Sequence, residues 1–131
     1  MRAAMGPGES ARSPRRRVRT LVSPWQFRYC YAGRKITTRH AVVFLRAPAR
    51  PEGLCVGVVA SRKVGGAVRR NRAKRLLREA ARALAQRWID RDTWAVLVAK
   101  ASIADRSAGE IQEEIERALV AEGVFEAKQI E

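Results

Sequence analysis

The sequence predicts an α+β fold in which helices pack on one sheet, in the order helix, strands, helix, strand, helix. Three observations support this fold class: two helix-start signatures, three β-branched apolar runs, and a long basic segment with apolar residues at helical spacing. The 131 residues are enough for one domain with a single core.

The first helix is predicted to begin at Ser23-Pro24-Trp25-Gln26. Ser is a favoured N-cap, Pro fits the first helical position, and Gln at the third position completes a capping box. Gly33 is a natural C-terminal stop, so this helix is short. Phe27 and Tyr31 lie four residues apart and therefore share one of its faces.

Strands are predicted over residues 41–45, 54–60 and 93–99, because each run is rich in Val and other strand-forming residues. The connection 47–53 contains Pro and Gly, so the first two strands are expected to pair as an antiparallel hairpin. The third run is apolar throughout, which is typical of a strand buried on both faces.

The second helix is predicted over about residues 67–88. It lies within the most informative segment of the chain, since residues 61–79 carry eight cations and one acid. Apolar residues at helical spacing indicate that one side of the helix is buried, namely Leu77, Ala80, Ala81, Leu84 and Trp88. A second capping box, Ser107-Ala108-Gly109-Glu110, begins a last helix that is expected to stop at Gly123.

The net charge of +14 predicts a polyanionic partner. Residues 1–100 carry 24 basic and 5 acidic side chains, whereas residues 101–131 carry 3 and 8, so the C-terminal segment is expected to face away from that partner. We divide the chain into a disordered basic arm (1–20), one folded domain (21–122) and a flexible tail (123–131). The arm is equally consistent with a solubilising tail and with an electrostatic arm for RNA.

The location predicted for the chain is the cytoplasm. No apolar run is long enough to span a bilayer, and the N-terminus lacks the apolar segment of a secretory signal. Cys30 and Cys55 have no metal-binding spacing and are interpreted as reduced core side chains.

The basic helix is predicted to bind the polyanion directly. Like charges three and four residues apart destabilise an isolated helix, which makes a merely solvated face improbable. Arg70 and Asn71 lie in the first turn, where free backbone N–H groups and the positive end of the helix attract phosphate. Planar guanidinium groups can hold phosphate oxygens in pairs.

Catalysis by the polypeptide itself is not expected. His40 has no evident catalytic or metal-binding partner, and no pair of carboxylates has the placement that hydrolytic chemistry needs. The aromatic residues Phe27, Tyr31 and Phe44 could stack on unpaired bases, but packing against the sheet is the stronger interpretation from their positions alone.

The basic segment resembles the signature of the bacterial ribonuclease P protein subunit. The matching residues are Ser61-Arg62-Lys63-Val64-Gly65 and, after one residue, Ala67-Val68-Arg69-Arg70-Asn71-Arg72-Ala73-Lys74-Arg75-Leu76-Leu77-Arg78-Glu79-Ala80. The similarity continues through residues 92–100 and 104–107, and covers about residues 18–120 in all.

The resemblance implies a fold like that of a small-subunit ribosomal protein domain, with a left-handed βαβ crossover. It also implies that the chain binds a large catalytic RNA and the 5′ leader of precursor tRNA. In that family the RNA and its bound Mg²⁺ hydrolyse the phosphodiester, so no protein residue is catalytic. No DNA or membrane partner is expected for the chain.

Matching positions in this chain acquire expected roles from the resemblance. Phe27, Tyr31 and Phe44 would line the leader cleft. The contacts to the catalytic RNA would be Arg62, Lys63, Arg70, Asn71, Arg72, Lys74, Arg75 and Arg78. The alternative function is that of a structural ribosomal protein or a general RNA chaperone with the same fold.

Overall fold

The computed structural model describes residues 18–48, 53–85 and 92–124. Its helices are α1 (Pro24–Tyr31), α2 (Ala67–Leu84) and α3 (Ala108–Ala121), and a short 3₁₀ helix spans Ala101–Asp105. Its strands are β1 (Arg19–Thr20), β2 (Arg34–Thr37), β3 (Ala41–Arg46), β4 (Leu54–Val59) and β5 (Thr93–Ala99). They form one sheet in the order β1-β4-β5-β3-β2, which confirms the α+β fold class.

The predicted hairpin between β3 and β4 is wrong, because β5 lies between these strands. β5 pairs parallel with β4 and antiparallel with β3, which explains why its sequence is apolar on both faces. The hairpin that does form joins β2 to β3, with Ile36 opposite Val43. β2 was not predicted, although its Ile36 and Thr37 are β-branched.

α2 connects the neighbouring parallel strands β4 and β5 and packs on the sheet. The left-handed sense of this βαβ crossover stays a prediction of the resemblance. The helix ends at Leu84, with Ala85 as its C-cap. The predicted extension to Trp88 lies outside the described residues.

The two faces of the sheet differ in how completely they are covered. α2 and α3 cover one face, where the buried stripe of α2, centred on Leu77, packs against Val43, Val56 and Leu97. The short helix α1 lies on the other face and contacts β2, β3 and β5. Strand residues Val59 and Val98 on that face are only partly buried. The face that carries α1 is therefore the open one.

Local signals locate the starts of α1 and α3 correctly. Gln26 Oε1 accepts hydrogen bonds from the backbone N–H groups of Val22 and Ser23, at 3.0 and 2.9 Å, as the capping box predicts. At α3, Ser107 N–H donates to Glu110 Oε1 at 2.8 Å, and Glu110 N–H donates to Ser107 Oγ at 3.2 Å. These bonds satisfy N–H groups that a helix start otherwise leaves without partners.

The predicted N-terminal domain limit needs correction, whereas Gly123 is the helix stop that the sequence predicts. Arg19 and Thr20, assigned to the arm, form β1 and pair with Cys55 and Val56 of β4. Gly123, assigned to the tail, ends α3 with a φ of 79°, and its N–H donates to Val120 O. The rest of the arm, 1–17, and of the tail, 125–131, lies outside the described residues.

Both cysteines are buried and neither forms a disulfide within the described residues, in line with the predicted reduced core side chains. Burial raises the pKa of the Cys30 thiol to about 11, so this side chain is uncharged at neutral pH. Within the described residues, no helix is both long enough and apolar enough to cross a membrane.

Candidate nucleic-acid interface

A cationic face extends along the solvent side of α2. Asn71, Arg75 and Arg78 are exposed there, on the side opposite the buried Leu77 and Leu84. Lys74 is partly buried at the margin of this face. The helix begins at Gly66, which supplies no side-chain cap, and its first turn contains no acidic residue. The backbone N–H groups at this end therefore add to the attraction for anions.

Two further cations lie in the turn that precedes α2. Arg62 and Lys63 are exposed, and the turn is held by a hydrogen bond from Val64 N–H to Ser61 O at 3.0 Å. The side chain of Val64 is buried, which anchors the turn to the core. These two cations therefore continue the cationic face beyond the start of the helix.

Some cations of the basic segment are held by the protein itself. Arg72, predicted to contact RNA, donates from Nε to Ala104 O at 2.7 Å and from Nη2 to Arg106 O at 3.3 Å. Arg70 donates from Nη1 to Gly65 O at 3.3 Å. Both side chains therefore donate hydrogen bonds to backbone carbonyl groups of the protein. Fewer of their N–H groups remain available to an RNA.

Arg69 makes contacts within the protein that could not be predicted from the sequence. Its Nε donates to Val64 O at 3.0 Å, and its guanidinium pairs with the Asp105 carboxylate at 3.2 Å. The Arg69 guanidinium lowers the pKa of Asp105, chiefly by donating a hydrogen bond to the carboxylate and also by its positive charge. This ion pair joins α2 to the 3₁₀ helix.

The structure brings the three predicted cleft aromatics to one face of the sheet. The rings of Tyr31 and Phe44 meet edge to face, with centroids 4.9 Å apart. Tyr31 remains 42% exposed, whereas Phe27 and Phe44 are half-buried. These rings pack on one another and still offer surface to solvent, so the core and stacking interpretations are compatible.

Gly57 of β4 makes room for Phe27. A Cβ atom at this position would lie 2.6 Å from two atoms of the Phe27 ring, which is closer than van der Waals contact permits. The ring can therefore lie directly on the strand only because residue 57 is glycine. Gly57 is a site residue that the sequence analysis did not identify.

A second aromatic group lies on the other side of α1. Trp25 is 50% exposed and packs on Trp94 at a centroid distance of 5.4 Å. Tyr29 also packs on Trp94, and the Arg46 guanidinium lies 4.0 Å above the Tyr29 ring. This cluster fixes α1 on the sheet and so positions Phe27 and Tyr31.

His40 has partners that lie far away in sequence. Its Nδ1 is 2.5 Å from Ser102 Oγ, and its backbone N–H donates to Glu114 Oε2 at 2.7 Å. The same carboxylate accepts from Thr38 Oγ1, and Lys100 Nζ donates to Thr38 O. This network ties the β2–β3 turn to α3, beside a cavity of about 430 Å³. It gives His40 a structural role.

Among the described residues, no cluster of three or more His, Cys, Asp or Glu side chains is placed to hold a metal ion.

Comparisons with known proteins give a consistent result. A family model described as Ribonuclease P matches residues 16–121. The ribonuclease P protein component of Symbiobacterium thermophilum is 36% identical over 107 residues, which cover 81% of this chain and 92% of that protein. The component from Chloroflexus aurantiacus is 46% identical over 72 residues, or 55% of this chain. That match spans about half of the Chloroflexus protein (53%).

Two solved structures are similar in fold. The RNase P protein of Staphylococcus aureus matches with a TM-score of 0.70 and 24% identity, covering 81% of this chain and 96% of that one. The RNase P protein of Thermotoga maritima matches with a TM-score of 0.59 and 23% identity, covering 70% of this chain and 86% of that one.

Proposed function

The chain belongs to the ribonuclease P family, and we propose that it is the protein subunit of that enzyme. In this role it binds a catalytic RNA together with the 5′ leader of a precursor tRNA. It thereby promotes the Mg²⁺-dependent endonucleolytic cut that removes the leader and leaves a mature tRNA 5′ end. The observation that carries the proposal is the family match over residues 16–121, which includes both the cationic face and the aromatic side of α1.

The cationic face supports binding to a folded RNA. Its side chains lie on a rigid helix whose opposite side is buried in the core, so their spacing is set before the RNA arrives. Contacts from Lys and Arg to phosphate release counterions and position the protein without reading sequence. The catalytic RNA is the partner that we assign to this surface.

The aromatic side of α1 supports binding to an unpaired strand. Bases stack on exposed aromatic rings with little regard to sequence, which suits a leader that differs from one precursor to the next. Tyr31, Phe44 and Phe27 offer such rings beside the partly exposed Val59 and Val98. The leader is the partner that we assign to this surface.

The protein's contribution to cleavage is electrostatic and positional. The precursor and the catalytic RNA are both polyanions and repel each other, and a chain with a net charge of +14 between them reduces that repulsion. Mg²⁺, bound mainly by the RNA, supplies the chemistry of hydrolysis. The cations of α2 hold the catalytic RNA while the rings of α1 hold the leader, which orients the scissile bond.

Cleavage of a precursor tRNA at low Mg²⁺ concentration tests this function. Adding the chain to its cognate catalytic RNA should raise the cleavage rate sharply, because the protein replaces part of the cation requirement. The control is a scrambled peptide with the same composition as residues 61–82. Equal stimulation by that peptide would favour a general RNA chaperone and contradict the subunit function.

Replacing Tyr31 by Ala tests the leader surface. We expect binding of a leader-bearing precursor to weaken by roughly 1–3 kcal/mol, since one stacking ring is lost. Binding of mature tRNA should be unchanged, because it has no leader. Both affinities are measured for the complex of the chain with the catalytic RNA.

Two variants control this measurement. Tyr31→Phe keeps the ring and should retain most of the affinity. Val22→Ala truncates an apolar side chain just before α1 that is 76% exposed, and it should leave both affinities unchanged. An equal loss for precursor and mature tRNA with Tyr31→Ala would show that Tyr31 serves the fold and not the leader.

A further inference from the structure

A cavity of about 170 Å³ lies at the β1 edge of the sheet, where α1 and α2 approach from opposite faces. β1 ends at Thr20, whereas β4 continues to Val59, so the last part of β4 has no strand beside it on that edge. Phe27 of α1 and Arg78 of α2 both line the cavity. The cavity therefore connects two surfaces that the sequence analysis assigned to different RNAs.

The lining suits a nucleotide. Most of the cavity's lining residues are apolar, among them Leu21, Val56, Val58 and the Phe27 ring. Two cations also line it, and none of the described residues around it is acidic. An apolar wall with an aromatic ring can take a base, and adjacent guanidinium groups can take its phosphate.

The two cations that line the cavity are Arg78 and Arg82, which lie one helical turn apart on α2. Both are exposed, and neither has a hydrogen-bond or ion-pair partner among the residues that the structure describes. Like charges at this spacing repel each other, and an anion between them would relieve that repulsion. The RNA contacts implied by the resemblance include Arg78 but not Arg82.

We propose that this cavity binds one nucleotide of the leader, with its base against the Phe27 ring and its phosphate between Arg78 and Arg82. The inference rests on the proposed function and extends it. The unpaired strand leaves the aromatic side of α1 around the β1 edge and reaches α2. Arg78 then contacts the leader and not the catalytic RNA, and Arg82 is an additional leader-binding residue.

The Arg82→Gln variant tests the proposal, with Arg117→Gln as its matched control. Both changes remove one positive charge, but Arg117 lies on α3 with its side chain 76% exposed and paired only with Glu113 in the described part of the chain. Arg82→Gln should weaken binding of leader-bearing precursor about ten-fold, the cost of a charged hydrogen-bond partner. It should leave mature tRNA and the catalytic RNA bound as before. Arg117→Gln should change none of the three affinities.

A single methylphosphonate in the leader identifies the contacted phosphate. At one leader position this neutral group should weaken binding of the precursor to the unchanged chain. The unchanged chain and Arg82→Gln should then bind that precursor with equal affinity. At other leader positions the advantage of the unchanged chain should persist. This measurement requires no substitution at Phe27, which is half-buried, so it does not disturb the packing of the protein.

A double-mutant cycle with Phe27→Leu provides a second readout. The fold loss of precursor affinity in the double variant should be smaller than the product of the two single fold losses, because one nucleotide contacts both side chains.

Two results would overturn the proposal. Arg82→Gln and Arg117→Gln could give the same affinities, or Arg82→Gln could weaken binding of the catalytic RNA as much as that of the leader. Failure of the proposed function is distinguishable, since the unchanged chain and Arg117→Gln would then fail to stimulate precursor cleavage.

Discussion

Affinity for the catalytic RNA is expected to fall by roughly three powers of ten between about 50 and 200 mM salt, as for a protein that neutralises about six phosphates. Six cations that the resemblance assigns to the catalytic RNA remain for this surface when Arg78 and Arg82 are assigned to the leader. They are Arg62, Lys63, Arg70, Arg72, Lys74 and Arg75. Titrations of the RNA at several salt concentrations measure the slope of log K against log salt.

Variants of α2 sharpen this measurement. Arg75→Gln should lower the slope by about 1 and leave the free energy of unfolding unchanged, because Arg75 is exposed. Arg72→Gln should lower the slope and, in addition, the thermal stability. The Arg72 guanidinium that it removes donates hydrogen bonds to Ala104 O and Arg106 O. A flat salt response of the unchanged chain would contradict binding through the cationic face.

Leu77→Ala is expected to lower the free energy of unfolding by roughly 2–5 kcal/mol, the usual cost of removing a fully buried Leu side chain. Leu77 is buried at the centre of the stripe that joins α2 to the sheet and α3. Loss of this contact releases the helix that presents the cations, so RNA binding should fail at temperatures where the variant unfolds. Urea unfolding followed by circular dichroism measures the change.

Val68→Ala is the matched control, because Val68 is an apolar residue of the same helix that is 84% exposed. Its free energy of unfolding should change by at most about 0.5 kcal/mol, as for other surface substitutions. Equal destabilisation by both variants would show that α2 does not depend on the core contact at Leu77.

The starts of α1 and α3, the end of α3 and the buried side of α2 follow from short-range patterns. The capping boxes at Ser23 and Ser107 and the stop at Gly123 depend on groups within a few residues of each other. The sequence therefore contains everything needed to locate them. The same holds for the stripe around Leu77, whose spacing reflects the helical period.

Strand order did not follow from such patterns. The connection 47–53 has the composition of a hairpin loop, but pairing β3 with β4 directly would leave β5 at an edge. β5 is apolar on both faces and is buried only when strands lie on both sides of it. This global requirement for burial outweighs the local preference of the loop.

The roles of individual cations also depended on distant contacts. Arg72 and Arg75 are arginines of the same basic segment, yet only Arg72 donates hydrogen bonds to the carbonyl groups of residues 104 and 106. His40 similarly acquires Ser102 and Glu114 as partners across more than 60 residues. Such pairs are invisible in a single sequence because chain separation says nothing about distance in the folded state.

The sequence by itself determined the α+β class, the starts of α1 and α3, the cationic side of α2 and the resemblance to one RNA-binding family, since all of these are local patterns. Only the tertiary structure decided that β5 separates β3 from β4. It also decided which arginines are held by the protein, and that Phe27, Arg78 and Arg82 share one cavity. The physical reason is that burial and charge pairing act between residues that only the folded sheet brings together.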